Sequence, residues 1–207
     1  MPERAALPRG FFARGAEVLA PALLGTRLVR VTPRGERLAG VIVETEAYIG
    51  IEDRASHAFG GRRSRRNESM YARPGTAYVY FTYGMHHCFN IVCAEPEDPQ
   101  AVLVRAIEPD EGLPAMKSLR AARGKVRTDR DLASGPGKLC QALGIGLDLD
   151  GVDLCTGPAL WIEPGRSPGP IGQGPRIGLG AVGKWAGRRL RWWERGSPFV
   201  STARRRG

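Results

Sequence analysis

The segment Glu44-Thr-Glu-Ala-Tyr48 follows the apolar run Val41-Ile-Val43 and has the pattern of a β-strand. From Val43 onward, Val43, Thr45, Ala47 and Ile49 fall on one face, and Glu44, Glu46 and Tyr48 on the other. Such a strand presents carboxylates and an aromatic ring together, at i and i+2. A carboxylate can activate a water, and a ring beside it can hold a flat substrate. Alone, the tripeptide Glu46-Ala-Tyr48 better describes a solvated strand face. The chain carries 31 Lys and Arg against 21 Asp and Glu, a formal charge of +10. On so basic a chain the flat substrate to expect is a nucleobase.

Three further groups could carry chemistry. His57 stands just before Gly60-Gly61 and the run Arg62-Arg-Ser-Arg-Arg66. The four arginines Arg62, Arg63, Arg65 and Arg66 form a candidate phosphate-binding loop, against a plain solvated loop. Next comes Tyr78-Val-Tyr80-Phe-Thr-Tyr83-Gly84. Tyr78 and Tyr80 share a strand face, whereas Tyr83 abuts the turn glycine, where an aromatic ring can enter between base steps. Tyr and Phe are also good strand formers, so Phe81 and at least one tyrosine are expected in the core. Finally, His86-His87-Cys88 with Cys93 invites a zinc reading, but the spacing lacks the paired ligands of such sites. Buried structural cysteines are the expectation, with no metal.

These residues need elements to position them. Phe11 to Leu24 has helical spacing and stops at Gly25. Leu28 to Val31 and Arg37 to Ile49 read as strands around a Pro33-Arg-Gly35 turn. Ala77 to Tyr83 and His86 to Cys93 read as a hairpin turning at Gly84, and Ala101 to Ile107 as an apolar central strand. Leu113 to Ala122 reads as a helix. Ser134-Gly-Pro136 is expected to cap another through Leu143, stopped by Gly144. Gly151 to Gly180, rich in Gly and Pro, has no clear assignment, and Leu190 to Ser201 can return as a strand. Strands and helices without βαβ regularity predict an α+β domain. With 207 residues the chain reads as one domain, globular over about 10–201 with short flexible ends. Cys88, Cys93, Cys140 and Cys155 form no CxxC pair, and no N-terminal apolar run resembles a signal peptide or a membrane span. The expectation is a soluble intracellular, cytoplasmic protein with reduced thiols and no membrane association.

Taken in order, the motifs resemble the alkyladenine (3-methyladenine) DNA glycosylase family of single-domain repair enzymes. The resemblance rests on Leu24-Gly25, Val43-Glu-Thr-Glu-Ala-Tyr48, Glu52-Asp53, His57, Gly60-Gly61 and Arg66-Asn67. It continues through Pro74-Gly75-Thr76, Tyr78-Val-Tyr80, Tyr83-Gly-Met85, Asn90, Arg105-Ala-Ile-Glu-Pro109 and Ser134-Gly-Pro136. Lys138-Leu-Cys-Gln-Ala-Leu143, Pro175-Arg-Ile-Gly178 and Arg195-Gly-Ser-Pro198 complete it, so it covers about residues 10 to 201. Ser64-Arg65 stands where the family usually has Thr-Pro, which makes the loop more basic and less rigid. His86-His87 replaces residues that are more often aromatic.

The resemblance implies a curved antiparallel sheet with a protruding hairpin, surrounded by helices. It implies that Glu46 activates the attacking water, with Arg105 helping to place it. Tyr48 then stacks on a flipped base, His57 and Tyr80 complete the pocket, Asn90 stands where a guanine amino group would clash, and Tyr83 fills the gap left in the duplex. The implied partner is double-stranded DNA holding damaged purines, among them 3-methyladenine, 7-methylguanine, hypoxanthine and ethenoadenine. The implied enzyme is a cofactor-free, monofunctional and monomeric hydrolase of the N-glycosidic bond. The rival reading is a non-catalytic nucleic-acid binder using a basic, aromatic surface, which has no need of Glu46. A zinc base deaminase would need H-x-E and P-C-x-x-C patterns, and the chain has neither.

Overall fold

Every pair of neighbouring strands is antiparallel. The strands are β1 (Arg27–Val31), β2 (Arg37–Tyr48), β3 (Ala77–Thr82), β4 (His86–Cys93), β5 (Gln100–Glu111), β6 (Leu160–Glu163), β7 (Ile171–Gly174) and β8 (Arg191–Glu194). They form one curled sheet in the order β3-β4-β5-β2-β1-β6. β2 is 12 residues long and takes two neighbours on one edge: β1 along its first half and β8 along Glu44 to Glu46, with β7 beyond β8. The helices are α1 (Arg9–Phe12), α2 (Ala16–Ala22), α3 (Leu113–Ala121), α4 (Arg130–Ala133) and α5 (Pro136–Leu143). This computed structural model describes residues 5–122 and 124–201. Of the ends expected to be flexible, residues 1–4 and 202–207 lie outside the described residues. Leu7 is pinned by a backbone bond to Ile162 (2.8 Å).

The β2–β5 pairing contains two compensating irregularities that position the site. Ile42 pairs with Ile107, Glu44 with Ala106 and Thr45 with Val104, which leaves Val43 and Arg105 without partners in the ladder. A one-residue slip turns every later side chain to the opposite face. Accordingly Leu38 and Ile42 of β2 lie in the main core, and beyond the slip so does Ala47. On β5 the core residues are Val102 and Val104, then Ile107. The slip turns Glu44 and Glu46 away from the core, with the unpaired Arg105 between them.

Three expectations need correction. The helix expected over Phe11 to Leu24 is broken at 13–15, where Gly15 is extended (ψ 151) and precedes α2. Ser134 makes no cap for α5. Gly135 holds that position, with a φ of 134 that suits glycine, and Ser134 instead bridges to Ala106. Phe81 is 42 % exposed near the hairpin tip, because its alternation places it on the face that Phe89 and Ile91 cover only farther down the hairpin. The segment left unassigned supplies β6 and β7, short strands whose Gly and Pro content hides their alternation.

Gly40 lies at another irregularity in β2, where a Cβ would sit 2.6 Å from the Glu108 carbonyl oxygen and 3.0 Å from Pro109 Cα. Gly40→Ala should therefore cost about 1–3 kcal/mol through overpacking. Urea unfolding measures this, and an unchanged midpoint would show that β2 and β5 separate freely.

Candidate active site

The face of the sheet opposite the main core carries a cavity of about 460 Å³, within the roughly 300–1,000 Å³ typical of ligand sites. Tyr48 from β2, Tyr78 and Tyr80 from β3, Asn90 from β4 and Leu103 and Arg105 from β5 line it. His57 from the loop after β2, Tyr83 at the hairpin tip and residues 177–180 close its sides. The structure thus brings Tyr48, His57, Tyr80, Tyr83, Asn90 and Arg105 around one space.

Glu46 is wholly buried and does not itself line the cavity; it lies behind Tyr48, Arg105 and Ile177, which do. Its Oε1 lies 3.1 Å from Arg105 Nη1 and accepts the Ile177 backbone N–H at 2.7 Å. Its Oε2 accepts the Tyr48 hydroxyl at 3.0 Å, and a carboxylate oxygen has room for a second donor. Burial, then the Glu46 charge, holds the Tyr48 phenol well above its ordinary range, so it keeps its proton and donates. Burial would lower the Arg105 pKa, but the charges of Glu46 and Glu44 outweigh this and raise it.

Tyr48 has a cation at its back. The Arg176 guanidinium lies 4.6 Å from the ring centroid and is held by Asp53 (2.5 and 2.8 Å) and the Ala47 carbonyl (2.9 Å). Arg176 and Asp53 are both fully buried as side chains. Asp53 also receives the backbone N–H groups of Ile49 and Ala55, fixing the turn that leads to His57. In the sequence both residues stand only within motifs, Glu52-Asp53 and Pro175-Arg-Ile-Gly178. Their signal is compositional: an Asp just after a strand and an Arg between Pro and Ile need partners if buried.

His57 Nδ1 lies 2.7 Å from the Tyr78 hydroxyl, and its ring meets Tyr80 edge-on at 4.6 Å. Burial, aided by Arg66 and Arg62, lowers its pKa to about 4, so the imidazole is neutral near pH 7. Asn90 is buried and donates to the carbonyl of its cross-strand partner Tyr78 (3.1 Å). Among the described residues no cluster of His, Cys, Asp and Glu is placed to hold a metal ion. Cys88, Cys93 and Cys140 are buried free thiols, and Cys155 is half-buried.

At the hairpin tip, Met85 N–H bonds to Thr82 C=O (3.2 Å), with Tyr83 at φ 51 and Gly84 at φ 65. Positive φ at both central residues is the tight hairpin turn whose twist suits antiparallel strands. A tyrosine in it is strained, and Tyr83 is 77 % exposed. Beside it, Asn67 folds the arginine loop. Its Oδ1 accepts the Ser64 N–H and hydroxyl, and its Nδ2 donates to the carbonyls of Arg62 and His57. Arg62 and Arg65 are exposed, and Arg66 donates to the Phe81 carbonyl (3.1 Å). Arg63 instead pairs with Glu68 (2.6 Å) and Glu97 (2.5 Å) over the Tyr71 ring.

The pKa of His57 has a stability consequence. Unfolded, it binds a proton below about 6.5; folded, only near 4. Between these values the unfolded state holds more protons, so stability falls as pH drops from 6.5 to 4. Urea unfolding at pH 7, 5.5 and 4.5 should show this fall, and His57→Gln should flatten it. An equal pH slope in the variant would place the proton uptake elsewhere.

Residues 10–198 match the family model for methylpurine-DNA glycosylase. A DNA-3-methyladenine glycosylase of Homo sapiens is 47% identical over 203 residues, covering 94% of this chain and 67% of that protein. Its counterpart in Mus musculus is 45% identical, over 94% of this chain and 61% of its own length. The chain thus spans about two thirds of these mammalian relatives. A Methanocella arvoryzae protein bearing a 3-methyladenine DNA glycosylase name is 47% identical, over 94% of this chain and 95% of its own. The chain belongs to the methylpurine-DNA glycosylase family, and its class is that of a base-excision-repair DNA glycosylase.

Proposed function

We propose that this chain removes alkylated or deaminated purines from double-stranded DNA by hydrolysing the N-glycosidic bond, with Glu46 activating the water. The observation that carries this is Glu46 itself, buried between Arg105 and Tyr48 beneath an aromatic cavity. A protein that only bound nucleic acid would gain nothing from a carboxylate there.

The target nucleotide leaves the stack at a cost of a few kcal/mol, least for a damaged or mispaired base. Tyr83, held outward by its turn, fills the gap. The base enters the cavity against the face of Tyr48 that Arg176 leaves free, with His57 and Tyr80 as further walls. Asn90 stands against the exocyclic amino group of guanine and rejects it by an unpaired donor and a steric conflict. As the glycosidic bond breaks, its electron pair leaves with the base and positive charge builds on the sugar. The Glu46 carboxylate stabilises that charge and takes a proton from water as the oxygen bonds to the sugar. Arg105 aligns the carboxylate and the water. A cationic base such as 3-methyladenine departs readily, and electron-rich rings attract it by about 0.5–2 kcal/mol.

None of Lys117, Lys125, Lys138 and Lys184 lines the cavity. Without an amine to form a Schiff base, the product is an abasic site and the backbone stays intact. All the groups in this scheme come from one chain, which supports a monomer, and the unpaired cysteines together with a DNA substrate support an intracellular location.

Glu46→Gln should keep binding duplex with one lesion while losing most base release, scored by alkaline cleavage of the abasic product. Release within a few-fold of the parent protein would remove Glu46 from this role. The arginine loop makes a second prediction. Replacing Arg62, Arg65 and Arg66 with Ala should flatten the log–log salt dependence of duplex binding by about 0.9 per lost contact. Arg63→Ala should flatten it less, because Glu68 and Glu97 already match that charge. Equal effects at Arg63 would show that its ion pairs open on DNA.

A further inference from the structure

Glu44 is as deeply buried as Glu46, yet the proposed reaction gives it no part. Its Oε1 accepts Arg105 Nε at 3.1 Å and Arg191 Nη1 at 3.0 Å. Its Oε2 accepts the backbone N–H of Ser201 at 2.7 Å. The Ser201 hydroxyl in turn accepts Arg105 Nη2 at 3.3 Å. Arg191 belongs to β8, which pairs with β2 along Glu44 to Glu46, and Ser201 lies seven residues beyond the end of that strand. Two buried carboxylates, the buried Arg105 and the half-buried Arg191 thus form a set of zero net charge, closed by Ser201.

The geometry assigns Arg105 three fixed points. Glu44 holds Nε, Ser201 holds Nη2, and Nη1 is left toward Glu46. A guanidinium is planar and rigid, so two anchored nitrogens settle where the third points. We propose that Glu44 and Ser201 are positioning residues, and that the C-terminal segment orients Arg105, and through it Glu46, for attack by water. Glu44 is not itself poised as the base. Each carboxylate has three donors, but of those on Glu44 only Arg105 lines the cavity, whereas Arg105, Tyr48 and Ile177, the donors to Glu46, all line it. Glu44 also has a register reason to be charged. The slip in β2 turns Glu44 and Glu46 together away from the main core, to a face where Arg105 and Arg191 supply two positive charges for two negative ones. Without Glu44, Arg105 could swing fully onto Glu46 and cover the lone pairs that water needs.

The inference rests on the reading of Glu46 as the base, and one experiment separates the two. Single-turnover base release and lesion-duplex affinity are measured on the full chain for the parent protein, Glu44→Gln and Ser201→Ala, with thermal unfolding alongside. Glu44→Gln should slow release by about 10²-fold, the loss typical of an ångström of misplacement, while affinity stays within about three-fold because the stacking walls are untouched. Ser201→Ala keeps the backbone bond to Glu44 and removes one anchor, so it should slow release by about three- to ten-fold with unchanged unfolding. That variant decides the matter if Glu44→Gln fails to fold. Release within two-fold of the parent in Ser201→Ala, or affinity lost in step with rate in either folded variant, overturns the positioning role. A parent protein that releases no base from any lesion overturns the glycosylase reading instead.

Discussion

Two carboxylates two residues apart on one strand, both wholly buried, impose the constraint on which this structure depends. A buried charge without a partner is costly enough to unfold a domain of this size, so Glu44 and Glu46 require cations and donors from elsewhere in the chain. Arg105 arrives from the neighbouring strand, Arg191 from the last strand, and backbone N–H groups from Ile177 and Ser201. Each comes from a segment far away in sequence. The stretch after α5, whose strands β6 to β8 are only four residues long, carries Ile177, Arg191 and Ser201 back to the sheet.

The same demand explains the distorted pairing of β2 and β5. In a regular ladder one long strand keeps its alternation throughout, and the residues that follow Leu38 and Ile42 in phase would point into the main core. The slip at Val43 and its counterpart at Arg105 let a single pair of strands serve two environments: apolar packing against the helices at one end, and a polar floor at the other. Bulges of this kind are frequent beside active sites for that reason. Arg176 with Asp53 repeats the logic one layer out, a buried ion pair that backs the Tyr48 ring and ties the turn leading to His57.

Much of this was legible in the chain alone. The hairpin was visible because Tyr78 to Thr82 and His86 to Cys93 alternate around Tyr83-Gly84, and only glycine and a few residues tolerate the turn between them. The long strand carrying Glu44, Glu46 and Tyr48 was visible from period-two alternation after Val43. Helix breaks were less so, since the apolar spacing of Phe12, Ala16, Leu19 and Leu23 persists across a break that Gly15 introduces. Phe81 was misplaced because composition reports a residue's affinity for a core and not whether a core reaches that far along a hairpin.

By itself, then, the sequence determined the strand faces, the turn at Tyr83, the basic loop and the motif series of the family, because these depend on neighbours a few residues apart. Only the tertiary structure decided the partners. That Arg63 is spent on Glu68 and Glu97 while Arg66 reaches the hairpin, that Arg176 sits behind Tyr48, and that Glu44 is closed by Ser201 are pairings across as many as 157 residues. Charge and spacing say that a buried carboxylate needs a partner. Which of 31 basic side chains answers depends on how the sheet curls and where its register slips.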